Sequence, residues 1–382
     1  MSSPPSTSPG AGPPARYIMI GGFLGAGKTT SVAQLASVLH ARGRKVGLIT
    51  NDQGSGLVDT TVLRARGFAT EEIPGGCFCC RFNSLVDAAA KLTATTRPDV
   101  FIAEPVGSCT DLVATVTYPL RRIYGDRFSI APLSVVIDPQ RALRVFGLAD
   151  GRPFSEKVLY IYRKQLEEAD LIVINKCDIL GDPELTRLQD ELAQKFPHAQ
   201  ILRASARTGE GLDAWFARLL AADQVARQVM EVDYATYAEG EALLGWLNAT
   251  FHVSASEAYD ANAVLEKLAR KIQALLASGG GEIAHLKMTF SPEGGLNDVA
   301  AINLVRSDFV PELSLRLDQP VSAGQLILNL RGEAAPETLK LAVETAARDL
   351  GRDVPGVIAR LDHLEHFRPG KPEPTHRVLS PV

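Results

Sequence analysis

A glycine-rich segment near the start of the 382-residue chain has the spacing needed to bind phosphate. The segment Gly22-Phe23-Leu24-Gly25-Ala26-Gly27-Lys28-Thr29 fits the pattern G-x-x-x-x-G-K-[ST] at every defined position. Glycines let successive backbone N–H groups point at phosphate oxygens, and Lys28 adds charge at the β- and γ-phosphates. Thr29 offers a hydroxyl to Mg²⁺, and Thr30 can cap the next helix or reach the α-phosphate. We predict a nucleotide site formed by Gly22, Gly25, Ala26, Gly27, Lys28, Thr29 and Thr30.

The segment Asn175-Lys176-Cys177-Asp178 predicts that the base is guanine. It follows an apolar run, at the carboxyl end of an expected strand, where α/β folds bind ligands. A carboxylate at Asp178 can accept from the ring N–H and the exocyclic amine of guanine, a donor pair that adenine lacks. Asn175 can bond the other edge of the purine, and the Lys176 stem can lie over the ring.

A second segment supports guanine. Ser205-Ala206-Arg207-Thr208-Gly209 follows the next expected strand and is typical of the guanine loop of GTPases. An ordinary polar turn after a strand is the alternative for either segment alone. Their order after a phosphate loop adds Ser205 and Ala206 to the predicted site.

Two carboxylates are candidates for holding Mg²⁺ or orienting the attacking water. Asp52 and Glu104 each follow an apolar run closely. Phosphoryl transfer needs a metal held by the loop hydroxyl and a carboxylate, and a group that orients water. We expect both residues to act there beside Lys28 and Thr29, with their roles undivided, and Gly107 to let a switch loop bend toward the γ-phosphate. A turn or capping role is the alternative for each carboxylate.

Three thiols crowd into Cys77-Phe78-Cys79-Cys80. Such a cluster favours a soft or borderline cation such as Zn²⁺, Cu(I) or Co²⁺. Three thiolates do not complete a tetrahedral site, so a fourth ligand must come from water, a histidine or another chain. A C-x-x-C redox pair and inert buried thiols are the alternatives. The other cysteines, Cys109 and Cys177, are expected to be structural.

Histidines near the C-terminus are further ligand candidates. His363 and His366 have the spacing of one helix face, and His376 follows them. Two histidines on one helix face can bind a metal ion. Solvated surface histidines are the more common interpretation.

Short apolar runs recur through the first half of the chain and predict buried parallel strands. Amphipathic stretches between them predict crossover helices. The fold class is therefore α/β, a P-loop NTPase with a doubly wound, mostly parallel sheet, followed by a smaller C-terminal α+β domain. The expected divisions are a disordered tail (1–15), a P-loop GTPase domain (16–225), a linker (226–240), an α+β domain (241–368) and a loose tail (369–382). Within the second domain we expect a strand over 241–253 and a helix over 257–277.

Composition and charge limit the kinds of partner that the protein is expected to bind. A formal net charge of -4 gives no global attraction to nucleic acid or to an anionic membrane. No run of about 18 apolar residues predicts a membrane span. The first residues are rich in Ser and Pro and lack an apolar signal-peptide core, and five cysteines make a poor disulfide framework. We therefore expect a cytoplasmic protein with reduced thiols.

Four segments resemble, in their order and spacing, those of the CobW-type metallochaperone GTPases. They are the phosphate loop, the clustered cysteines, Glu104-Pro105-Val106-Gly107 and Asn175–Asp178. These are relatives of the GTPases that insert nickel into urease and hydrogenase. The resemblance implies that the protein binds and hydrolyses GTP with Mg²⁺ and delivers Zn²⁺ or Co²⁺ to a client metalloprotein. It also implies that the metal ligands are Cys77, Cys79 and Cys80, that binding follows the nucleotide state, and that a homodimer is one arrangement to test.

The chain departs from this family in two places. The family commonly has Asn-Glu-Phe-Gly after the second strand, whereas this chain has Asn51-Asp52-Gln53-Gly54, a shorter carboxylate. The long histidine-rich tract of many members is absent from this sequence, which argues against metal storage. Two other functions stay open: a regulatory GTPase that activates a metalloenzyme without carrying metal, and a thiol redox protein controlled by nucleotide.

Overall fold

A parallel sheet organises the first half of the computed structural model, which describes residues 13–51, 58–151, 154–294 and 298–382. Its strands are β1 (Ala15–Gly21), β2 (Val46–Asn51), β3 (Thr70–Ile73), β4 (Val100–Glu104), β5 (Phe128–Ile130), β6 (Ser134–Ile137), β7 (Leu171–Ile174) and β8 (Gln200–Arg203). Their order is β3-β2-β4-β1-β6-β7-β8, and β5 pairs with β1. Every pair is parallel. The carboxyl ends of β1, β4 and β7 therefore meet at one edge.

Helices cover both faces of this sheet, which explains why the strands are unbroken apolar runs rather than alternating ones. They are α1 (Lys28–Ala41), α2 (Val58–Ala65), α3 (Phe82–Thr95), α4 (Tyr118–Tyr124), α5 (Pro139–Val145), α6 (Glu156–Glu168), α7 (Asp182–Lys195) and α8 (Leu212–Ala221). Separate apolar clusters lie on the two faces, one containing Phe82 and Phe101 and the other Leu35 and Trp215. The predicted doubly wound fold is confirmed.

The second half forms a six-stranded antiparallel sheet with helices on one face. Its elements are α9 (Tyr234–Leu243), β9 (Leu244–Tyr259), α10 (Ala261–Ser278), β10 (Glu282–Pro292), β11 (Ala300–Leu304), β12 (Glu312–Leu315), β13 (Val321–Glu333), α11 (Pro336–Asp353) and β14 (Val357–Phe367). The strand order is β12-β11-β10-β13-β9-β14. Within the described ranges, no helix combines the length and apolarity that crossing a membrane requires.

Alternation along β10 and β13 gives this sheet two different faces. Leu286 and Met288 on β10 pack into an apolar core with α10 and α11. The residues that alternate with them on the opposite face, including His285 and Lys287, line a cavity against the first domain. The second domain therefore turns a polar sheet face toward the phosphate loop.

One buried guanidinium joins the two domains. Arg141 on α5 donates to the main-chain oxygens of Leu24 in the phosphate loop and of Ala284 and Val305 in the second sheet. Its group also lies 5.3 Å from the ring centre of Phe23. Because a buried charge needs all of these acceptors, Arg141 fixes the second domain to the loop.

Two local predictions for the second half are wrong, and two are correct in type with shifted ends. The linker predicted over 226–240 contains most of α9, which packs on α6 and carries the fully buried Tyr237. The strand predicted over 241–253 is present as Leu244–Tyr259, and the helix predicted over 257–277 is present as Ala261–Ser278. Helical spacing misled the assignment of His363 and His366, which lie on the strand β14.

The C-terminal residues 369–382, predicted as a loose tail, are held by hydrogen bonds instead. The Thr375 N–H donates to the Cys79 carbonyl at 2.8 Å, and the Val378 N–H donates to the Ala114 carbonyl at 2.8 Å. Proline content alone suggested a loose end, whereas prolines also suit an extended segment that packs on another surface.

Candidate functional site

The phosphate loop joins β1 to α1 with a backbone that requires glycine at two positions. Gly22 has a φ of 129°, and a Cβ there would lie 2.1 Å from the Val136 carbonyl oxygen. Gly27 has a φ of 97°, and a Cβ there would lie 2.3 Å from Asn175 Nδ2. Both positions therefore require glycine, because a side chain would be strained at these positive φ angles and would collide with the neighbouring atoms.

Two carboxylates converge on the hydroxyl of Thr29. Its Oγ1 lies 2.7 Å from Asp59 Oδ1 and 2.9 Å from Glu104 Oε1. The other carboxylate oxygen of Glu104 is buried and has no hydrogen-bond partner among the described residues. A hydroxyl, two carboxylates and an unsatisfied oxygen form a donor set that fits Mg²⁺.

Asp59 was missed by the sequence analysis. It lies in the first turn of α2, without an apolar strand immediately before it, so neither strand-end position nor a motif marked it. Asp52, the carboxylate that the sequence analysis chose, lies outside the described residues.

A lysine from the second domain enters the same site. Lys287 on β10 forms an ion pair with Asp59, and its Nζ lies 3.3 Å from Thr29 Oγ1. The phosphate-loop Lys28 is buried nearby, with its Nζ 3.4 Å from the Phe23 carbonyl oxygen. Burial lowers the pKa of Lys28, while Glu104 and Asp59 oppose that shift. Sequence motifs could not reveal Lys287, because its position depends on how the two domains dock.

The guanine segments form a second group at the same sheet edge. Asn175 donates to the Ala26 carbonyl at 2.8 Å and accepts from the Ala206 N–H at 2.9 Å. Lys176 donates to the Gly25 carbonyl and to Asp138, each at 2.8 Å. The Asn175 amide thus ties the phosphate loop to the guanine loop, a role that the sequence did not indicate. Its expected contact with the purine stays a prediction.

Asp178 keeps one carboxylate oxygen available. Its Oδ2 pairs with Arg207, whereas Oδ1 is buried without a hydrogen-bond partner in the described part of the chain. Ser205, which is fully buried, accepts from the Thr208 N–H at 3.1 Å and shapes the neighbouring turn. An unsatisfied carboxylate oxygen fits a base that offers N–H donors, as guanine does.

One cavity of about 420 Å³ connects these groups. The predicted residues that line it are Gly25, Gly27, Lys28, Thr29, Thr30, Glu104, Gly107, Asn175, Lys176, Asp178 and Ala206. Gly22, Ala26 and Ser205 are buried beneath its wall. The second domain contributes His285, Lys287 and Arg331 to the opposite side. The nucleotide cavity therefore lies between the domains and is large enough for a ligand of drug size.

The three clustered cysteines form a compact thiol group. Cys77 Sγ lies 2.7 Å from Cys79 Sγ and 3.3 Å from Cys80 Sγ, and the Cys79 and Cys80 sulfurs are 3.6 Å apart. Hydrogen bonds to Cys109, Cys79 and Cys80 hold the pKa of the Cys77 thiol well below its ordinary value. A cluster with this spacing can hold one metal ion.

The C-terminal segment 373–378 crosses the outer side of the thiol group. The Glu373 N–H donates to Cys80 Sγ at 3.3 Å, and Thr375 Oγ1 donates to the Cys80 carbonyl at 3.0 Å. The His376 ring meets Phe82 edge-on, with ring centres 5.0 Å apart, and Arg377 pairs with Asp111. The segment therefore covers Cys80 and limits access to it.

The Glu104 carboxyl should make folding stability depend on pH. Burial and the nearby Asp59 raise the pKa of Glu104 to about 7, from an ordinary 4.5. The neutral carboxyl is thus favoured in the folded protein. Its contribution to the free energy of unfolding is complete below about pH 4.5 and is lost as the pH rises through about 7.

Glu104→Gln removes this titration. Between pH 5 and pH 8, the free energy of unfolding of the metal-free wild type should fall by up to about 3 kcal/mol more than that of the variant. Urea titrations at each pH measure the difference. Glu71→Gln, which removes a half-buried carboxylate on β3, is the matched control. Parallel pH profiles for the wild type and Glu104→Gln would contradict the assignment.

Deleting residues 373–382 should expose Cys80. We expect its reaction with a thiol reagent to accelerate at least about fivefold, because local opening no longer has to precede attack. Stopped-flow absorbance gives the rate, and mass spectrometry identifies the labelled cysteine. Deleting only residues 380–382 keeps the covering hydrogen bonds and serves as the control. Equal rates in the two deletions would show that the segment does not protect the thiol.

Comparisons with known proteins identify a family and several relatives to which the chain is similar. Residues 16–203 match the family model described as CobW/HypB/UreG, nucleotide-binding domain. The chain is 32% identical over 213 residues to the zinc chaperone CobW of Sinorhizobium sp, which covers 50% of this chain and 59% of that protein. It is 30% identical over 166 residues to the zinc chaperone YeiR of Escherichia coli (strain K12), with coverage of 43% and 47%.

The chain thus spans about half the length of the curated relatives it matches. Among solved structures, the Zn(II)-bound YjiA GTPase from E. coli covers 87% of this chain and 99% of its own, at 15% identity and a TM-score of 0.39. A TM-score of that size carries no argument about function. Residues 16–203 are thus similar to the nucleotide-binding domain of the CobW/HypB/UreG family of GTPases.

Proposed function

We propose that the protein is a GTP-binding and GTP-hydrolysing metallochaperone that binds a transition metal through Cys77, Cys79 and Cys80 and delivers it to a client metalloprotein. The observation that carries this proposal is the convergence of three thiols, with sulfurs 2.7 to 3.6 Å apart, that follow a main-chain carbonyl bonded by the cavity-lining Asn51. Thiolates that can share an ion suit Zn²⁺ or Co²⁺, and an adjacent nucleotide can control when that ion is held.

One hydrogen bond and one continuous segment connect the cavity to the neighbourhood of the thiols. Asn51, at the end of β2, lines the cavity and donates to the Gly76 carbonyl at 2.6 Å, immediately before Cys77. Glu104 and Gly107 line the same cavity and belong to the segment that continues to Cys109. A nucleotide that moves either element therefore moves a neighbour of the thiols.

Each nucleotide-site residue has a chemical role in this proposal. Thr29, Asp59 and Glu104 would hold Mg²⁺, which would supply positive charge to the phosphoryl group being transferred. Lys28 would add charge at the β- and γ-phosphates, and Asp178 would accept hydrogen bonds from guanine. Glu104 would also be the carboxylate that orients the attacking water, and Gly107 would let its loop bend toward the γ-phosphate.

Zinc is the favoured cargo. The curated relatives CobW of Sinorhizobium sp and YeiR of Escherichia coli are named zinc chaperones, and thiolate ligands suit Zn²⁺. Cobalt binds the same ligand type, so metal availability and site geometry decide between the two ions.

A regulatory GTPase that activates a metalloenzyme without carrying metal is the second candidate. A relative from Dictyostelium discoideum, 24% identical over 218 residues, is named zinc-regulated GTPase metalloprotein activator 1. The C-terminal cover over Cys80 also suits a site that senses metal rather than transfers it.

Asp178→Asn should weaken GTP binding about 100-fold, because the new amide presents an N–H group to the guanine N–H donors. Binding of xanthosine triphosphate should improve, since xanthine replaces the exocyclic amine with an acceptor. Fluorescence titration of both nucleotides measures the two affinities. Asp182→Asn on α7, an exposed carboxylate, is the matched control. Unchanged GTP affinity in Asp178→Asn would contradict guanine recognition by this residue.

Cobalt loading tests the carrier proposal. We expect the reduced protein to show strong thiolate charge-transfer absorbance with Co²⁺ when Mg²⁺-GTP is present, and weaker absorbance with Mg²⁺-GDP. The band should vanish in Cys79→Ser, Cys80→Ser protein. A wild type with no thiolate band in either nucleotide state would favour the regulatory GTPase.

A further inference from the structure

We propose that Lys287 of the second domain belongs to the nucleotide site, where it binds the γ-phosphate of Mg²⁺-GTP and makes the site prefer the triphosphate to GDP. This inference rests on the proposed GTP-binding function and adds a residue to it. In the structure the same ammonium pairs with Asp59, one of the two carboxylates that are proposed to hold Mg²⁺.

The Lys287 ammonium lies among the groups that are expected to surround Mg²⁺. Its Nζ forms an ion pair with Asp59 Oδ1 and lies 3.3 Å from the Thr29 hydroxyl oxygen. That hydroxyl oxygen is itself 2.7 Å from Asp59 Oδ1 and 2.9 Å from Glu104 Oε1. The ammonium and a metal ion bound to these oxygens would therefore compete for the same two ligand atoms.

Metal binding would take away the acidic partner of Lys287. Its side chain is 15% exposed, and a largely buried ion that loses its partner is strongly destabilising. In phosphoryl transfer the metal bridges oxygens of the β- and γ-phosphates, so GTP would bring the negative γ-phosphate next to the displaced ammonium. The flexible four-carbon stem of lysine allows the ammonium to turn toward that charge. GDP brings no γ-phosphate, so it would leave the ammonium without a new partner.

The strand from which Lys287 extends is held in place by neighbouring contacts. Its pairing partner on β13, Asn329, accepts at 3.1 Å from the first N–H of α2, the helix that carries Asp59. Ala284, three residues earlier on β10, accepts from the Arg141 guanidinium at 3.2 Å. The second sheet is thus tied to both α2 and α5. Exchange of the ammonium between the carboxylate and the γ-phosphate therefore needs movement of the lysine side chain and not of the strand.

Nucleotide affinities of the full chain test the preference. With Mg²⁺ present, Lys287→Met should bind a non-hydrolysable GTP analogue at least about tenfold more weakly than the wild type, because a charged hydrogen bond is lost. Its affinity for GDP should change by less than about twofold, since GDP does not make that bond. Isothermal titration calorimetry measures both affinities.

Lys271→Met is the matched control for these titrations. It removes another second-domain lysine, on α10, that pairs with Asp349 at 3.2 Å and does not line the cavity. Both affinities of this control should equal those of the wild type. Circular dichroism checks that each variant is folded. An equal loss for both nucleotides in folded Lys287→Met, or no loss for either, would overturn the inference.

A second measurement needs no substitution. Reductive methylation of the wild type, followed by mass spectrometry, gives the rate at which the Lys287 amine reacts. With Mg²⁺ and the GTP analogue this rate should be at least about fivefold lower than with Mg²⁺ and GDP, because an ammonium bound to phosphate must be released before it reacts. Lys271 is the internal control and should react equally in both states. Equal rates at Lys287 would overturn the inference even if Lys287→Met did not fold.

Failure of this inference and failure of the proposed function give different results. If the wild type binds the GTP analogue with Mg²⁺ but Lys287→Met keeps the same preference over GDP, Lys287 is not a γ-phosphate ligand and GTP binding stands. If the wild type binds neither the analogue nor GDP, the proposed function fails together with this inference.

Discussion

The structure depends on a cluster of opposite charges around the Thr29 hydroxyl, in which Lys28 and Glu104 are buried and Asp59 and Lys287 are largely buried. Asp59 and Glu104 approach that hydroxyl, while Lys28 and Lys287 supply the opposing charge. A buried ion that loses its partner costs several kcal/mol, so these four groups must be assembled together. They come from α2, the end of β4, the start of α1 and the strand β10. The cluster therefore requires both domains to dock in one arrangement, which Arg141 fixes through main-chain oxygens on both sides.

Docking turns separate sequence motifs into one connected site. Asn175 ties the phosphate loop to the guanine loop, and Asn51 ties the cavity to the backbone just before Cys77. Gln165 holds the segment that follows Glu104. Each of these amides is buried and has main-chain partners, so displacing one would leave polar groups unsatisfied. Such connections allow discrete rearrangements rather than gradual ones, which is what switching between nucleotide states requires.

The parts predictable from sequence are those specified by local chemistry. The unbroken apolar runs predicted the parallel sheet, and the spacing of glycines that adopt left-handed turns predicted the phosphate loop. The clustered cysteines are adjacent in space, as their sequence positions indicate. Asp59, Lys287 and the covering segment 373–378 were missed, because each acts through partners far away in sequence. His363 and His366 were assigned to a helix because of their spacing, but they lie on a strand. A spacing of three between two residues does not identify a helix when the surrounding apolar pattern is weak.

A nucleotide can change metal affinity only by contacting an element whose position differs between the loaded and the released state. In this chain Asn51 can make such a contact, because it lines the cavity and donates to the Gly76 carbonyl immediately before Cys77. Moving a site from almost always loaded to almost always released takes about 5.5 kcal/mol of differential binding. If the thiol group holds a metal ion as proposed, displacing the Glu373 N–H from Cys80 would uncover one side of that group. The C-terminal segment would then determine the side from which a client can approach the ion.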